Sequence, residues 1–362
     1  MPGKLLLHIS YQKRKRTPHK SNGFSVLIVS LILYITGIYY KYFQINWAYL
    51  YFWELFTIVN ALAFLFSIFI YFQKSISVND KGSNFNQFWS GTQSSPKFIG
   101  SLFASRLELK RVSYIFLMFI AVSLGSQQYY REVFELLKPG PPLFAGVPLF
   151  LYLFLLFIWV LDKIYFEQQE TFTEGFNAPV GWGVVWWHFC AVPFFYCVPI
   201  FSLLVESYES ISPFIIVCIL FLYFIGYTLS RGSIQQRFYL NTLGPSAIIW
   251  GDRPIVIEYN GSKNTDLNDS KKNRRVLISG WWGIVRYPQY LGESLILFSL
   301  LAICLVTHFN YKIAIQFVAA VLIFSYFIVD SEKRNTVKYA DIWNHYCICV
   351  KSKFFPSNIF RI

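Results

Sequence analysis

Between Ser279 and Glu293 the chain reads SGWWGIVRYPQYLGE, a short stretch dense in groups that can do chemistry. Gly280 and Gly283 allow tight turns and close backbone approach of a ligand. Trp281, Trp282, Tyr287 and Tyr290 offer flat faces for stacking, Arg286 a guanidinium for phosphate and Gln289 a carboxamide. Together these are the groups a nucleotide asks for. An aromatic belt at a membrane interface would account for the two indoles alone, but it gives no reason for Arg286, Gln289 and Tyr290 to follow them. Glu293 stands just inside a long apolar run. Two readings of it stand side by side. It is a functional carboxylate in a span, where an ionisable group is costly, or a helix N-terminal acid favoured by the dipole and reached by water.

The elements that must position these residues are membrane helices. The chain is 55% hydrophobic and only 14% charged, which excludes an ordinary soluble domain. It carries apolar runs of roughly 18 to 24 residues, the length that crosses about 30 Å of hydrocarbon. They fall at Phe24–Phe43, Tyr49–Phe72, Val112–Tyr130, Leu143–Leu161, Gly181–Val205, Pro213–Ser230, Leu291–His308 and Ile313–Val329. The fold class is an all-α polytopic membrane protein, about eight to ten transmembrane helices by the spacing rule. A small cytosolic cap is expected from the Arg231–Tyr290 loop and the C-terminal tail. Residues 1–23 read as a basic cytosolic arm, 24–230 as helices forming part of a pocket, and 231–362 as the nucleotide-binding half. Within the loop, AIIWGDRPIVIEY reads as two strands around a Gly251-Asp252 turn. Glu54, in the second run, reads as a snorkelling or inter-helix contact.

Loop charge sets the orientation. With both termini cytosolic, Lys13–Arg16, Lys97, Arg106, Lys110, Arg111, Lys271, Lys272, Arg274, Arg275 and Arg286 all fall on the cytosolic side. The acidic segment from Asp162 to Glu174 dissents, although acids weigh little in this rule. The net charge of +13 is thereby explained as a topology anchor, with no nucleic-acid partner. Cys347-x-Cys349 lacks a second ligand pair, so no metal is expected. The same orientation keeps Asn260-Gly261-Ser262 and Asn268-Asp269-Ser270 cytosolic and unglycosylated despite their acceptor pattern. A glycosidase-sensitive mass shift abolished by Asn260→Gln or Asn268→Gln would invert this topology.

The opening stretch resembles the signature of the sterol reductase family, S-G-W-W-G-x-x-R-H-x-x-Y-x-G-D. This family includes Δ14-sterol reductase, 7-dehydrocholesterol reductase and the lamin B receptor. Ser279, Gly280, Trp281, Trp282, Gly283, Arg286, Tyr290 and Gly292 match, while Tyr287 and Glu293 replace the His and Asp. IIWGDRPIVIE and VPFFYCVP (Val192–Pro199) are similar to stretches of the 7-dehydrocholesterol reductase branch, and KYADIWNHYC resembles the family's tail. The likeness is strong over Arg231–Pro356, patchy over Phe88–Arg111 and Gly181–Pro199, and absent over the first 80 or so residues.

The resemblance implies NADPH-dependent reduction of a sterol carbon–carbon double bond in the endoplasmic reticulum membrane, with a sterol and the lipid bilayer as partners. An acid protonates the alkene and a nicotinamide hydride quenches the cation. Glu293 and Tyr290 are the catalytic candidates. Trp281, Trp282, Arg286, Gln289, Tyr290, Gln235, Arg237, Tyr239, Arg334, Asn335, Lys338, Tyr339 and Tyr346 are the cofactor-site candidates. The chain also departs from the family. Gln235 and Tyr239 stand where the family keeps Lys and Arg, and Arg334-Asn335 stands for its Arg-Asp pair. Those departures keep open a second class, a catalytically degenerate sterol-binding or scaffold protein, beside a Δ14-sterol reductase. The chromatin-binding domain of a lamina receptor is not expected, because the 23 residues before the first run cannot bury a core.

Overall fold

The computed structural model describes residues 4–9, 16–72, 83–91, 106–135, 147–171, 179–205, 211–258, 275–307 and 311–354. Two strands, β1 (Lys4–Ile9) and β2 (Arg16–Ser21), pair as an antiparallel hairpin, so the expected basic arm has backbone structure of its own. Helices follow: α1 (Gly23–Tyr39), α2 (Trp47–Leu50), α3 (Phe52–Phe72), α4 (Asn84–Ser90), α5 (Arg106–Glu135), α6 (Val147–Tyr165) and α7 (Glu167–Glu170). Next come α8 (Trp182–Trp186), a π-helical turn at Trp187–Ala191, α9 (Val192–Val205) and α10 (Pro213–Leu243). The strands β3 (Val256–Glu258) and β4 (Arg275–Leu277) precede α11 (Trp281–Ile284), α12 (Pro288–Thr307), α13 (Tyr311–Tyr339) and α14 (Asp341–Cys349).

The described part of each of the eight apolar runs falls largely on helix, and among the described residues six helices are long and apolar enough to cross a membrane. These are α3, α6, the continuous α8–α9, α10, α12 and α13. The other two runs differ for visible reasons. α1 is a shorter apolar helix of 17 residues. α5 opens on Arg106, Glu108, Lys110 and Arg111 and reaches Ser126 and Gln127 before its end, so its apolar middle is short. That middle is packed inside the bundle: Leu117, Ile120, Ala121 and Leu124 are fully buried. Exposed Phe, Leu and Ile side chains ring α1, α3 and α13, as expected of helices facing lipid. Glu54 is exposed in the first turn of α3.

The cap is built differently from the expected loop. α10 does not stop at Arg231. It begins on Pro213 and runs on to Leu243, where Gly244 (φ 59°) and Pro245 end it. Its 31 residues extend about 46 Å at 1.5 Å per residue, well beyond the hydrocarbon thickness. The 29 residues of α13 extend about 44 Å by the same rise. The last turns of these two helices therefore carry the cap out of the apolar slab, and Arg334, Asn335, Lys338 and Tyr339 are helical rather than loose tail. Around Gly251 the expected strand pair reduces to one bridge, Ile249 to Asp252. Trp250 and Gly251 both take positive φ there, the pattern of a two-residue hairpin turn, but pairing goes no further than this bridge. β3 instead pairs with β4. The glycosylation-type sequences at Asn260 and Asn268 lie outside the described residues.

Two small cores weld the cap together. Val276, Tyr287, Ile342, Trp343, Tyr346 and Val350 form one, and Leu240, Ile249, Leu277 and Trp282 form the other. The main core runs through α5, α6, α9 and α12.

The most extensive helix contact joins α10 and α12. A Cβ at Gly226 would meet Gly292 O and Ile296 N, and one at Gly292 would clash with Ser230 N and Gly226 O. Only glycine allows this close crossing. It sets Ser230 of α10 against Glu293 of α12. Gly292→Ala is expected to cost at least about 1–3 kcal/mol by overpacking, read as a lowered melting temperature in detergent.

Candidate active site

Glu293 lies at the centre of a polar cluster within the helices. Its Oε1 accepts from Lys163 Nζ at 2.6 Å and from Ser230 Oγ at 2.5 Å, while Oε2 accepts from Trp159 Nε1 at 2.9 Å. These donors come from α6 and α10, so the residue is no N-terminal acid facing water. Three donors, one of them an ammonium, suit a carboxylate. Aromatic walls stand beside it. Trp159 stacks on Tyr196 of α9 at 4.7 Å and meets Tyr114 of α5 edge-on at 5.4 Å.

From Lys163 the charges continue outward. Its ammonium also bonds Glu170 at 3.2 Å, and Glu170 takes a second bond from Lys110 at 2.9 Å. Burial alone would raise the Glu170 carboxyl, but the ammonium groups of Lys110 and Lys163 hold it well below its ordinary 4.5. Because this folded value is depressed, its stabilising effect is complete above the ordinary value and fades only as pH falls toward the depressed one.

Neighbouring acids are paired too. Glu167 accepts from Arg111 at 2.5 Å and from the Gly23 backbone N–H at 2.9 Å, capping α1. Asp162 accepts from Tyr227 at 2.9 Å and faces Arg231 at 3.5 Å. The described acids of the dissenting segment, Asp162, Glu167 and Glu170, are thus paired with cations of α5, α6 and α10.

A second cluster forms in the cap. Trp282 is buried, donates its indole N–H to Ser233 O at 2.9 Å, and accepts the Tyr346 hydroxyl on its carbonyl at 2.9 Å. The Arg237 guanidinium lies 4.4 Å from the Trp282 ring. Trp281 donates its backbone N–H to Gln236 at 3.0 Å, and its ring meets Trp250 edge-on. Gly280 turns the chain with φ 64°, and a Cβ there would run into Gln236. One turn apart on α10, Gln235 donates to Tyr239 Oη at 2.7 Å. Tyr290 shares a hydrogen bond with Ser331 at 3.0 Å and stacks between Tyr287 and Phe327. The two catalytic candidates therefore turn to different neighbours, Tyr290 to α13 and Glu293 to α6 and α10. Arg334 pairs with Asp330 at 2.5 Å, Asn335 is buried, and Lys338 lies 4.7 Å from the Tyr339 ring.

Arg286 holds a place the sequence reading did not foresee. It is buried, and its guanidinium bonds Glu332 at 2.7 Å, Val350 O at 2.9 Å, Lys351 O at 3.0 Å and Cys347 Sγ at 3.0 Å. Its backbone N–H bonds Ser352 O, and Tyr287 adds a hydroxyl bond to Glu332. The expected phosphate ligand is a clasp that ties the tail to α13. The same clasp shapes Cys347: burial raises its thiol and the Glu332 carboxylate adds to this, against the opposing pull of Arg286.

Sequence reasoning also missed residues. Arg106 donates to Pro179 O at 3.0 Å. Burial beside the like-charged Arg334 lowers its guanidinium to about 10, against the pull of Asp330 and Tyr290, so it stays charged at neutral pH. Lys163, Ser230 and Trp159 were missed as well, because each looks ordinary alone. Lys163 closes an apolar run, where an ionisable group is itself a signal.

The cap also holds an orphaned polar atom close to clustered cations. Gln289 Oε1 is buried and has no hydrogen-bond partner among the described residues. Tyr290, which stands next to Gln289 in the chain, and Arg334 both act electrostatically on Arg106. A nucleotide carboxamide and phosphate are groups of the kind these side chains would satisfy.

Known proteins similar to this chain include sterol reductases. A Δ14-sterol reductase of Methylotuvimicrobium alcaliphilum is 26% identical over 303 residues, 81% of this chain and 63% of that protein. One from Arabidopsis thaliana is 27% identical over 208 residues, 55% of this chain and 49% of that protein. A 7-dehydrocholesterol reductase of Arabidopsis thaliana is 25% identical over 367 residues, 98% of this chain and 80% of that protein. The chain spans less than two thirds of the length of the first two. The family model for ergosterol biosynthesis, ERG4/ERG24, matches residues 1–360, so the likeness reaches the first 80 residues, where none was expected. With that match across nearly its whole length, this multi-pass chain belongs to the ERG4/ERG24 family.

Proposed function

We propose that this protein reduces a ring carbon–carbon double bond of a sterol, using NADPH, in a multi-pass membrane setting such as the endoplasmic reticulum. The observation that carries the reading is the Glu293 carboxylate, held by Lys163, Ser230 and Trp159 among aromatic rings inside the helices. A planar hydrocarbon needs an apolar, aromatic slot, and an alkene needs an acid within it. Glu293, once protonated, gives its proton to an alkene carbon. The faces of Trp159, Tyr196 and Tyr114 suit the carbocation that follows. A bound reduced nicotinamide supplies the hydride that quenches it. Arg237, Trp282, Gln289, Tyr290, Arg334 and Lys338 are the residues that would hold the dinucleotide, with Arg106 alongside. The names of the relatives, Δ14-sterol and 7-dehydrocholesterol reductases, support both the substrate class and the reaction.

Mass spectrometry of sterols from cells expressing or lacking the protein tests this. Expression should deplete one unsaturated sterol and accumulate its dihydro product. An unchanged sterol profile favours the second reading, a sterol-binding or scaffold protein, which the uncharged Gln235–Tyr239 pair supports.

Because Trp282 is part of the cap core, its alanine variant would mix binding with folding. Arg237→Gln leaves the Trp282 core in place and bears more directly on binding. It should weaken NADPH by about 1.5–3 kcal/mol, the worth of one charge-assisted bond. Nucleotide titration of detergent-purified protein checks this.

A further inference from the structure

Catalysis by Glu293 raises a question of supply. As the structure holds it, Glu293 accepts from three donors and has no proton of its own to give. Each turnover consumes one proton, and the alkene lies in an apolar slot away from bulk water on the reading above. We propose that Lys163 supplies that proton, as the inner end of a relay through Glu170 and Lys110 to the cap side of the membrane. The inference rests on the sterol-reductase reading.

Three observations carry it. First, the links are continuous: Glu293 to Lys163 is 2.6 Å, Lys163 to Glu170 is 3.2 Å, and Glu170 to Lys110 is 2.9 Å. Second, the middle of the chain is buried between two more open ends: Glu170 is 10% exposed and Glu293, at the sterol end, 17%. The Lys163 side chain is 9% exposed, while that of Lys110, at the outer end, is 24% exposed. Third, a cavity of about 10 Å³ lies between these links, lined by Lys110, Tyr114, Lys163 and Glu170. That is about the volume of one water.

The groups facing Lys163 are Glu170 of α7, Glu293 of α12, Tyr114 of α5 and Asp162 of its own helix. Facing Glu293 are Ser230 and Tyr223 of α10, Trp159 of α6 and Tyr196 of α9.

The step balances. The Lys163 ammonium gives a proton to the Glu293 carboxylate, leaving a neutral amine beside a carboxylic acid. In a dry slot that neutral pair competes with the ion pair far better than it does in water. The acid then protonates the alkene carbon and returns to carboxylate, and the hydride assigned above completes the reduction. The Lys163 amine regains its proton by way of Glu170, which takes one from the Lys110 ammonium, and Lys110 is recharged from solvent. Lys163 acts through Glu293 and is a positioning residue in the strict sense.

A purely structural Lys163 would only neutralise Glu170 and Glu293, a task arginine can also do. Arginine keeps the charge but does not release a proton near neutral pH. Lys163→Arg, purified in detergent, should therefore bind the sterol and NADPH like the parent. It should form product at least about 100-fold more slowly, the scale of general acid catalysis. Its residual rate should rise as pH falls, whereas the parent's stays flat around neutrality.

Glu170→Gln tests the same relay should Lys163→Arg fail to accumulate. Its amide keeps the shape of the middle link but cannot exchange protons between the lysines, so product formation should slow at least about tenfold. Turnover at the parental rate in either variant overturns the relay. A parent that binds both ligands but makes no product under any condition overturns the functional reading instead, and the relay with it.

Discussion

Replacing Glu293 by glutamine will lower sterol turnover by at least about 100-fold, with sterol and nucleotide binding kept, because general acid catalysis contributes on that scale. Glutamine preserves the volume, and its carboxamide oxygen can still accept from Trp159 or Ser230. Lys163 keeps Glu170 as a partner, so the helices should still assemble. What glutamine lacks is a proton to give. Product formation followed by mass spectrometry, alongside a sterol-binding titration, separates the two effects. Turnover within a few-fold of the parent would mean that another group, such as the Tyr196 phenol stacked on Trp159, protonates the alkene.

Arg286→Ala will loosen the cap. The side chain holds Glu332, the carbonyls of Val350 and Lys351, and the Cys347 sulfur. Removing it leaves a carboxylate and two carbonyls short of donors in a largely buried place, which costs about 3–5 kcal/mol. Arg286→Lys will not restore it, since one ammonium cannot reach acceptors spread around a planar fork. Thermal unfolding in detergent and proteolysis of the tail read this directly. A variant of parental stability that loses nucleotide affinity would return Arg286 to the phosphate role its sequence position implied.

How far the sequence carried differs between the helices and the site. Membrane helices are legible because hydrocarbon imposes length and apolarity on each segment separately. The boundary drawn at Arg231 was misplaced for a related reason. Hydropathy marks where a helix leaves lipid, not where it ends, and α10 continues as helix through Gln235, Arg237 and Tyr239. Among the cap candidates, Trp282 was named from the signature and Arg237 and Tyr346 from the family resemblance, and the three lie together. A guanidinium near aromatics looks the same in sequence whether it meets phosphate or, as Arg286 does here, a carboxylate of its own chain. Lys163, Ser230 and Trp159 escaped because they reach Glu293 from α6 and α10, far along the chain. Only the glycine-mediated crossing of α10 and α12 brings Ser230 to it.

The most direct test of the account traces the two hydrogens added to the sterol. Purified protein in lipid nanodiscs is given an unsaturated sterol with NADPH deuterated at the transferable position in ordinary water, and separately with unlabelled NADPH in heavy water. The account predicts one deuterium per product molecule in each experiment, on adjacent carbons. One comes from the nicotinamide as hydride and one from solvent as a proton by way of Glu293. Product carrying no label from heavy water, or no product while sterol still binds, would contradict it.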